Sequence, residues 1–93
     1  YNVPFSGVMV RIITKFLIIE VQISLNSIDK VKSFVNDITK FDYDFDLVSG
    51  RYVIDAKSIM GIFSLDLSKP IDLNIHAEDG ADEVLEVLKP YLV

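Results

Sequence analysis

Residues 57–65 read Lys-Ser-Ile-Met-Gly-Ile-Phe-Ser-Leu and follow a strand-like run. Serine is a preferred N-cap residue because its hydroxyl accepts a hydrogen bond from a free backbone N–H of the first helical turn. The pattern therefore predicts a short helix that begins at Ser58. A short helix cannot bury all of its large apolar residues on one face, and these are Ile59, Met60, Ile62 and Phe63. A hydroxyl at the positive end of a helix beside surplus apolar surface indicates a docking surface controlled by phosphorylation.

A β-hairpin is predicted directly upstream of this helix. Residues 42–47 alternate aspartate with tyrosine, phenylalanine and leucine, which is the period-two pattern of a strand. Ser49 and Gly50 fit a two-residue turn because glycine can adopt a positive φ. In this register Val48 lies opposite Arg51.

The other elements follow from the same two hydrophobic periods. The chain order is a strand over 16–23, a helix capped by Asn26 or Ser27 and ending near Lys40, the hairpin, the helix at Ser58, a strand over 71–76, and a helix capped by Asp79 and ending near Lys89. This order, βαββαβα, predicts an α+β open-faced sandwich with three helices on one face of a four-stranded sheet.

The N-terminal residues lie outside this pattern. Residues 1–8 contain proline and glycine without a hydrophobic period, so we expect an N-terminal coil or extension followed by one domain over 9–93. Residues 9–13 have strand composition. Three outcomes are open for them: they fray, they extend the first strand, or they pair with a second molecule through an exposed sheet edge.

Composition limits the classes of function. The net charge of −5 opposes a nucleic-acid partner. The chain has no cysteine, which excludes disulfides and thiolate metal sites and fits a cytoplasmic protein. The apolar stretch 8–23 is interrupted by three charged residues and is shorter than the roughly 20 residues of a membrane span, so no membrane association is expected.

Residues 57–65 also resemble the regulatory-serine helix of HPr, the histidine-containing phosphocarrier protein of the bacterial sugar phosphotransferase system. HPr proteins of low-GC Gram-positive bacteria commonly read Lys-Ser-Ile-Met-Gly-x-x-Ser-Leu, as this chain does. A looser similarity runs over residues 16–93. The resemblance implies the same order of elements, an antiparallel sheet with one solvated face, and a role in sugar transport that depends on phosphoenolpyruvate.

The resemblance also implies a degenerate phosphocarrier site. In the family, the phosphate-accepting histidine begins the first helix in a His-x-Arg-Pro run. Aligned on Phe34 and Val35, the three positions fall on Ser27, Asp29 and Lys30, and none matches. An aspartate in place of the arginine would repel phosphate. We therefore expect no catalytic residue, no enzyme activity and no competent phosphocarrier.

The regulatory serine of the family does have a counterpart, Ser58. In Gram-positive HPr this serine is phosphorylated by HPr kinase/phosphorylase, and the product assists a catabolite-control repressor. The resemblance implies the same two proteins as partners. It also implies partner contacts at Lys57, Ile59, Met60, Ile62 and Phe63. Asp66 stands where many family members have glycine and adds a negative charge near the serine.

Other polar residues leave alternatives open. The single histidine, His76, is expected at the surface or on an edge strand, or else serves as a displaced phosphate acceptor. Four aspartates, at positions 42, 44, 46 and 55, form either a solvated sheet face or oxygen ligands for a divalent cation. We expect no metal and no cofactor. The predicted function is a regulatory protein-binding module; the alternative is an HPr-fold structural protein that forms a homodimer through its N-terminal strand.

Overall fold

The computed structural model describes residues 9–13, 16–77 and 82–93. Its elements in chain order are β1 (Met9–Ile13), β2 (Phe16–Ile23), α1 (Ile28–Ile38), β3 (Asp44–Ser49), β4 (Tyr52–Asp55), α2 (Ile59–Phe63), β5 (Ile71–Ala77) and α3 (Asp82–Leu88). A 3-10 turn, Lys89–Tyr91, ends α3 at the proline. The predicted four strands and three helices are confirmed. The predicted coil over 1–8 and the predicted cap at Asp79 lie outside the described residues.

The strands form one antiparallel sheet in the order β1-β2-β5-β3-β4. The four predicted strands make up its core, and β1 is a fifth strand at one edge. β1 folds back on its own chain, with Ile13 opposite Phe16 and Met9 opposite Glu20. Fraying and extension of β2, two of the three expected outcomes, are therefore wrong. Pairing with a second molecule through the other side of β1 stays a prediction.

The hairpin between β3 and β4 turns one residue later than predicted. Ser49 lies opposite Tyr52, so the two central residues are Gly50 and Arg51. Gly50 has a φ of 60°, which the left-handed first position of such a turn requires and which glycine adopts without a Cβ clash. The register is shifted by two residues, and since side chains alternate with a period of two, the buried face is unchanged.

One hydrophobic core lies between the sheet and the three helices. On β5, Ile71, Leu73 and Ile75 are buried, whereas Asp72 between them is exposed. The ring of Phe34 in α1 meets Tyr91 edge-on, with centroids 5.5 Å apart. The helices contribute the core residues Val31, Phe34, Ile38, Ile62, Val84, Leu85 and Leu88. The opposite face of the sheet is solvated, as expected, and carries both polar side chains such as Asp72 and the exposed Val53. In the described part of the chain no helix is long and apolar enough to cross a membrane.

Candidate functional site

Ser58 caps α2 as predicted and is exposed to solvent. Its backbone is extended, with φ −92° and ψ 102°, and its Oγ accepts a hydrogen bond from the backbone N–H of Gly61 at 3.2 Å. The Ser58 carbonyl accepts the N–H of Ile62 at 3.0 Å, which closes the first helical turn. No acidic residue lies in that turn. The hydroxyl is therefore exposed at the start of the helix, beside backbone N–H groups that have no partner within the helix.

Gly61 allows this cap to form close to β4. A Cβ at this position would lie 3.2 Å from the Ser58 Oγ and 3.3 Å from the Ile54 Cδ1. Both separations are shorter than ordinary van der Waals contact. The glycine thus lets α2 approach β4 and lets the serine hydroxyl reach its donor. Sequence reasoning missed this role, although a glycine inside a short apolar helix is a signal of close approach.

The apolar residues of α2 divide between the surface and the core. Met60 is 78% exposed and Phe63 is 41% exposed, whereas Ile59 is partly buried. Ile62 is fully buried, so its predicted contact with a partner is wrong: it is the residue that attaches α2 to the core. The surface formed by Ile59, Met60 and Phe63 is called the α2 patch below.

Lys57 contacts the body of the protein. Its Nζ donates a hydrogen bond to the carbonyl oxygen of Phe41 at 2.7 Å and lies 5.5 Å from the centroid of the Phe45 ring. Its backbone N–H donates to Asp55 at 2.9 Å. The side chain thereby ties the β4–α2 junction to the segment that follows α1. A contact between Lys57 and a partner stays a prediction.

Asp66 lies just beyond α2 and keeps its negative charge. The hydroxyl of Ser68 donates to its carboxylate at 2.6 Å, and the Ser68 backbone N–H donates at 3.1 Å. These hydrogen bonds, the hydroxyl's first, hold the pKa of the Asp66 carboxyl below its ordinary value. The carboxylate is fully exposed, so its charge acts on Ser58 mainly through solvent.

The start of α1 brings together the three residues predicted as a degenerate phosphocarrier site. Ser27 is the N-cap, and its Oγ accepts the backbone N–H of Lys30 at 3.1 Å. Asp29 is exposed in the first turn. A carboxylate there interacts favourably with the helix dipole and opposes a second anion. Ile28, between Ser27 and Asp29, is 62% exposed and adds apolar surface at this helix start.

His76 lies on the open face of the sheet. Of its two expected placements the one at the surface holds, since the side chain is partly exposed, and the one on an edge strand does not, since β5 is flanked by β2 and β3. The His76 Nε2 lies 3.0 Å from Asp46 Oδ2, and both side chains are partly exposed. With Asp44 and Asp55 they line an open depression of about 280 Å³. Among the described residues, no three histidine or carboxylate side chains are placed to hold a metal ion.

Fold and site together define a small α+β sandwich with two serine-capped helices on its covered face. A family model described as the PTS HPr component phosphorylation site matches residues 29–92. This span is more than half of the chain, and the chain belongs to the HPr family of the sugar phosphotransferase system. Ser27 lies two residues before the matched span.

Solved structures of two HPr proteins are similar to this chain. The phosphocarrier protein HPr from Bacillus anthracis is 29% identical, with a TM-score of 0.61, over 84% of this chain and 98% of its own. HPr-C-His from Thermoanaerobacter tengcongensis is 27% identical, with a TM-score of 0.54, over 81% of this chain and 86% of its own. No curated protein matches the chain.

Proposed function

We propose that this HPr-family chain is a regulatory protein-binding module of the phosphotransferase system, controlled by phosphorylation of Ser58. The observation that carries the proposal is an exposed serine hydroxyl at the start of α2, next to the exposed side chains of Met60 and Phe63. Exposed side chains of this size next to a modifiable hydroxyl suit a surface that contacts another protein. The family assignment supports the same function.

A phosphate on Ser58 would change this surface in charge and hardly in shape. The Oγ already accepts the N–H of Gly61, and phosphate oxygens would accept the same donor. The group adds a charge of about −1.5 to −2 at neutral pH. The first turn of α2 holds no acidic residue, and the nearest carboxylates, those of Asp55 and Asp66, lie on either side of the helix. A partner that binds the α2 patch would then contact an apolar surface with the Ser58 phosphate next to it.

The proposed partners are an HPr kinase/phosphorylase, which modifies Ser58, and a catabolite-control regulator, which binds the product. The contact residues proposed for both are Lys57, Ile59, Met60 and Phe63. We propose the cytoplasm as the location. The kinase uses ATP, and the chain has no cysteine and so no disulfide that would require an oxidising compartment.

The proposal includes the loss of phosphocarrier activity. Ser27 rather than a histidine caps α1, and Asp29 in the same turn would repel a phosphoryl group. His76 lies on the open face of the sheet, bonded to Asp46 and away from the helices. Its acidic surroundings also oppose a phosphoryl donor, so it does not replace the missing acceptor.

Intact mass after incubation with an HPr kinase and ATP tests the proposal. We expect the wild-type chain to gain one phosphate and Ser58→Ala to gain none. Ser64→Ala is the matched control, because Ser64 is an exposed serine at the other end of α2 and should leave the gain unchanged. No gain by the wild type, or an equal gain by Ser58→Ala, would contradict regulation at Ser58.

A second candidate function is favoured by β1, an added strand at the sheet edge. In this alternative the chain is an HPr-fold dimerising protein with no phosphotransfer role, paired with a second copy through β1. A mass in solution near twice the chain mass of 10.5 kDa would support it. A monomer at all concentrations would contradict it.

A further inference from the structure

Gly61 forms hydrogen bonds to both serines that flank α2. Ser58 lies at the start of the helix and Ser64 at its end, and both are exposed. The Gly61 N–H donates to the Ser58 Oγ at 3.2 Å, whereas the Gly61 carbonyl oxygen accepts the hydroxyl of Ser64 at 2.6 Å. The same residue therefore uses one serine hydroxyl as an acceptor and the other as a donor.

This difference decides where the proton of each hydroxyl points. A serine hydroxyl has one proton and two lone pairs. The proton of Ser64 lies in the hydrogen bond to the Gly61 carbonyl, and 2.6 Å is at the short end of the range for O–H···O bonds. At Ser58 the Gly61 N–H occupies a lone pair, and no residue in the described part of the chain accepts the proton. The Ser58 proton therefore faces solvent, and the Ser64 proton faces its own helix.

Phosphorylation of a serine depends on that proton. The Oγ attacks the γ-phosphorus of ATP, the bond from that phosphorus to the bridging oxygen breaks, ADP leaves, and the hydroxyl proton passes to a base of the kinase. Ser58 can offer its proton at once, whereas Ser64 must first break its hydrogen bond to Gly61. A phosphate on Ser64 would also lie beside the carbonyl oxygens that end α2, and these repel an anion.

We propose that Gly61 selects Ser58 over Ser64 as the residue that a kinase phosphorylates. The inference rests on the proposed function and names a positioning residue for it. Gly61 acts through the two hydroxyls: its N–H holds the Ser58 Oγ with the proton outward, and its carbonyl holds the Ser64 proton. Both serines are exposed and adjoin the α2 patch in sequence, so accessibility alone does not distinguish them.

The missing side chain of Gly61 is what keeps the Ser58 hydroxyl in this position. A Cβ at position 61 would lie 3.2 Å from the Ser58 Oγ and 3.5 Å from the Ser58 Cβ. The hydroxyl can leave this contact by rotating about χ1, and it then loses the Gly61 N–H and points its proton elsewhere. The same Cβ would lie 3.3 Å from the Ile54 Cδ1, so packing against β4 is the competing explanation for a glycine here.

Initial rates of phosphorylation by an HPr kinase with ATP test the proposal. We expect Gly61→Ala to lower kcat about tenfold and to leave KM within about twofold, because the hydroxyl is displaced while the α2 patch keeps its side chains. Alanine favours a helix more than glycine does, so α2 should still form and the circular dichroism spectrum should be unchanged. Fragmentation mass spectrometry should place the phosphate of the wild type on Ser58 and none on Ser64.

A second variant separates the hydroxyl contact from the packing contact. Gly61→Ala combined with Ile54→Val lacks the Cδ1 at position 54, so the contact with Ser58 remains and the contact with β4 is relieved. We expect this double variant to be as slow as Gly61→Ala, and Ile54→Val alone to keep the wild-type rate. Recovery of the wild-type rate in the double variant would overturn the proposal, because the glycine would then serve packing alone.

The outcomes also separate this inference from the proposed function. A wild type that gains phosphate on Ser58, together with a Gly61→Ala variant that keeps the wild-type rate, overturns selection by Gly61 and leaves regulation at Ser58 standing. Phosphate on Ser64 of the wild type overturns selection by Gly61 as well. A wild type that gains no phosphate overturns both the inference and the proposed function.

Discussion

The starts of α1 and α2 have the same cap and different neighbours. In each helix a serine Oγ accepts the backbone N–H three residues later, from Lys30 at 3.1 Å and from Gly61 at 3.2 Å. The first turn of α1 contains Asp29, whereas the first turn of α2 contains no acid. The comparison teaches that two equal caps can be followed by turns of different charge. The proposed difference between the two helices in their tolerance of a phosphate rests on that charge.

The two helices also differ in how firmly the core holds them. α1 has eleven residues and buries Val31, Phe34 and Ile38. α2 has five residues and buries only Ile62. A helix with several buried residues is fixed by packing, whereas a short helix with one leaves most of its surface free. α1 therefore serves mainly the fold, and the proposed partner binding would use the free surface of α2.

The largest expected effect on stability comes from removing a buried side chain of α1. Phe34→Ala should lower the free energy of unfolding by about 4 kcal/mol, because it leaves a cavity beside the ring of Tyr91. Met60→Ala, at an exposed position of α2, should change it by less than about 0.5 kcal/mol. Urea unfolding followed by circular dichroism measures both. A large loss in Met60→Ala would show that the α2 patch is packed and not free.

Ile62→Ala should destabilise α2 in particular. We expect a loss of about 3 kcal/mol from the removed buried side chain. Since Ile62 is the one buried residue of this helix, amide hydrogen exchange at Gly61 and Ile62 should accelerate more than exchange within α1. Uniform acceleration across both helices would mean that α2 unfolds only with the whole domain.

The two caps can be compared directly by substitution. Ser27→Ala and Ser58→Ala should each cost about 1 kcal/mol of stability, because each removes the acceptor for one backbone N–H. Aspartate can also cap a helix, but at position 27 it meets the charge of Asp29. We expect Ser58→Asp to match the wild type and Ser27→Asp to be less stable by roughly 0.3 kcal/mol, because the two exposed carboxylates repel each other through solvent. Thermal unfolding at low salt measures the difference, and equal stabilities would remove the electrostatic distinction between the helices.

The smallest expected effect on stability is a pH dependence that comes from a hydrogen bond between Tyr91 and α1. The Tyr91 hydroxyl donates to Asp37 of α1 at 2.8 Å. Burial, followed by this hydrogen bond, raises the pKa of Tyr91 to about 12. The raised pKa means that the folded state holds the proton more tightly than the unfolded state. The resulting stability is fully present well below pH 10 and is lost as the pH rises toward 12; the loss is roughly 0.4 kcal/mol at pH 10.

Denaturant unfolding between pH 8 and pH 10 measures this dependence. Tyr91→Phe has no ionisable group at this position, so the contribution of Tyr91 should be missing from its pH profile. A wild-type profile identical to that of Tyr91→Phe would show that the Asp37 contact does not favour the neutral hydroxyl.

The features that were predicted correctly are local in sequence. Ser58 was identified as a cap because a cap is decided by a serine and the few residues after it. The hairpin of β3 and β4 was predicted from the alternation of polar and apolar residues. Its register depends on whether Gly50 is the first or the second central residue of the turn, and the sequence pattern fits both positions. The buried and exposed faces were still predicted correctly, because a register error of two residues leaves each side chain on the same face.

The features that were missed depend on distant parts of the chain. Ile62 is buried because α2 approaches β4 at Gly61, and periodicity cannot separate one buried residue from its apolar neighbours in a five-residue helix. His76 lies on an interior strand because β5 inserts between β2 and β3, and strand order in space does not follow order in sequence. The strand composition of residues 9–13 was visible, but its pairing partner was not.

The position of Lys57 has a consequence for ionic strength. Its ammonium is held by the Phe41 carbonyl and lies against the Phe45 ring, so the cation next to Ser58 in sequence is already engaged. A phosphate on Ser58 would have to obtain its counter-charge from the protein that docks there. Binding that depends on the phosphate should then weaken steeply as salt is added, while binding through the α2 patch alone should hardly respond. The salt dependence of a complex would therefore show whether the partner reads the phosphate or only the apolar surface.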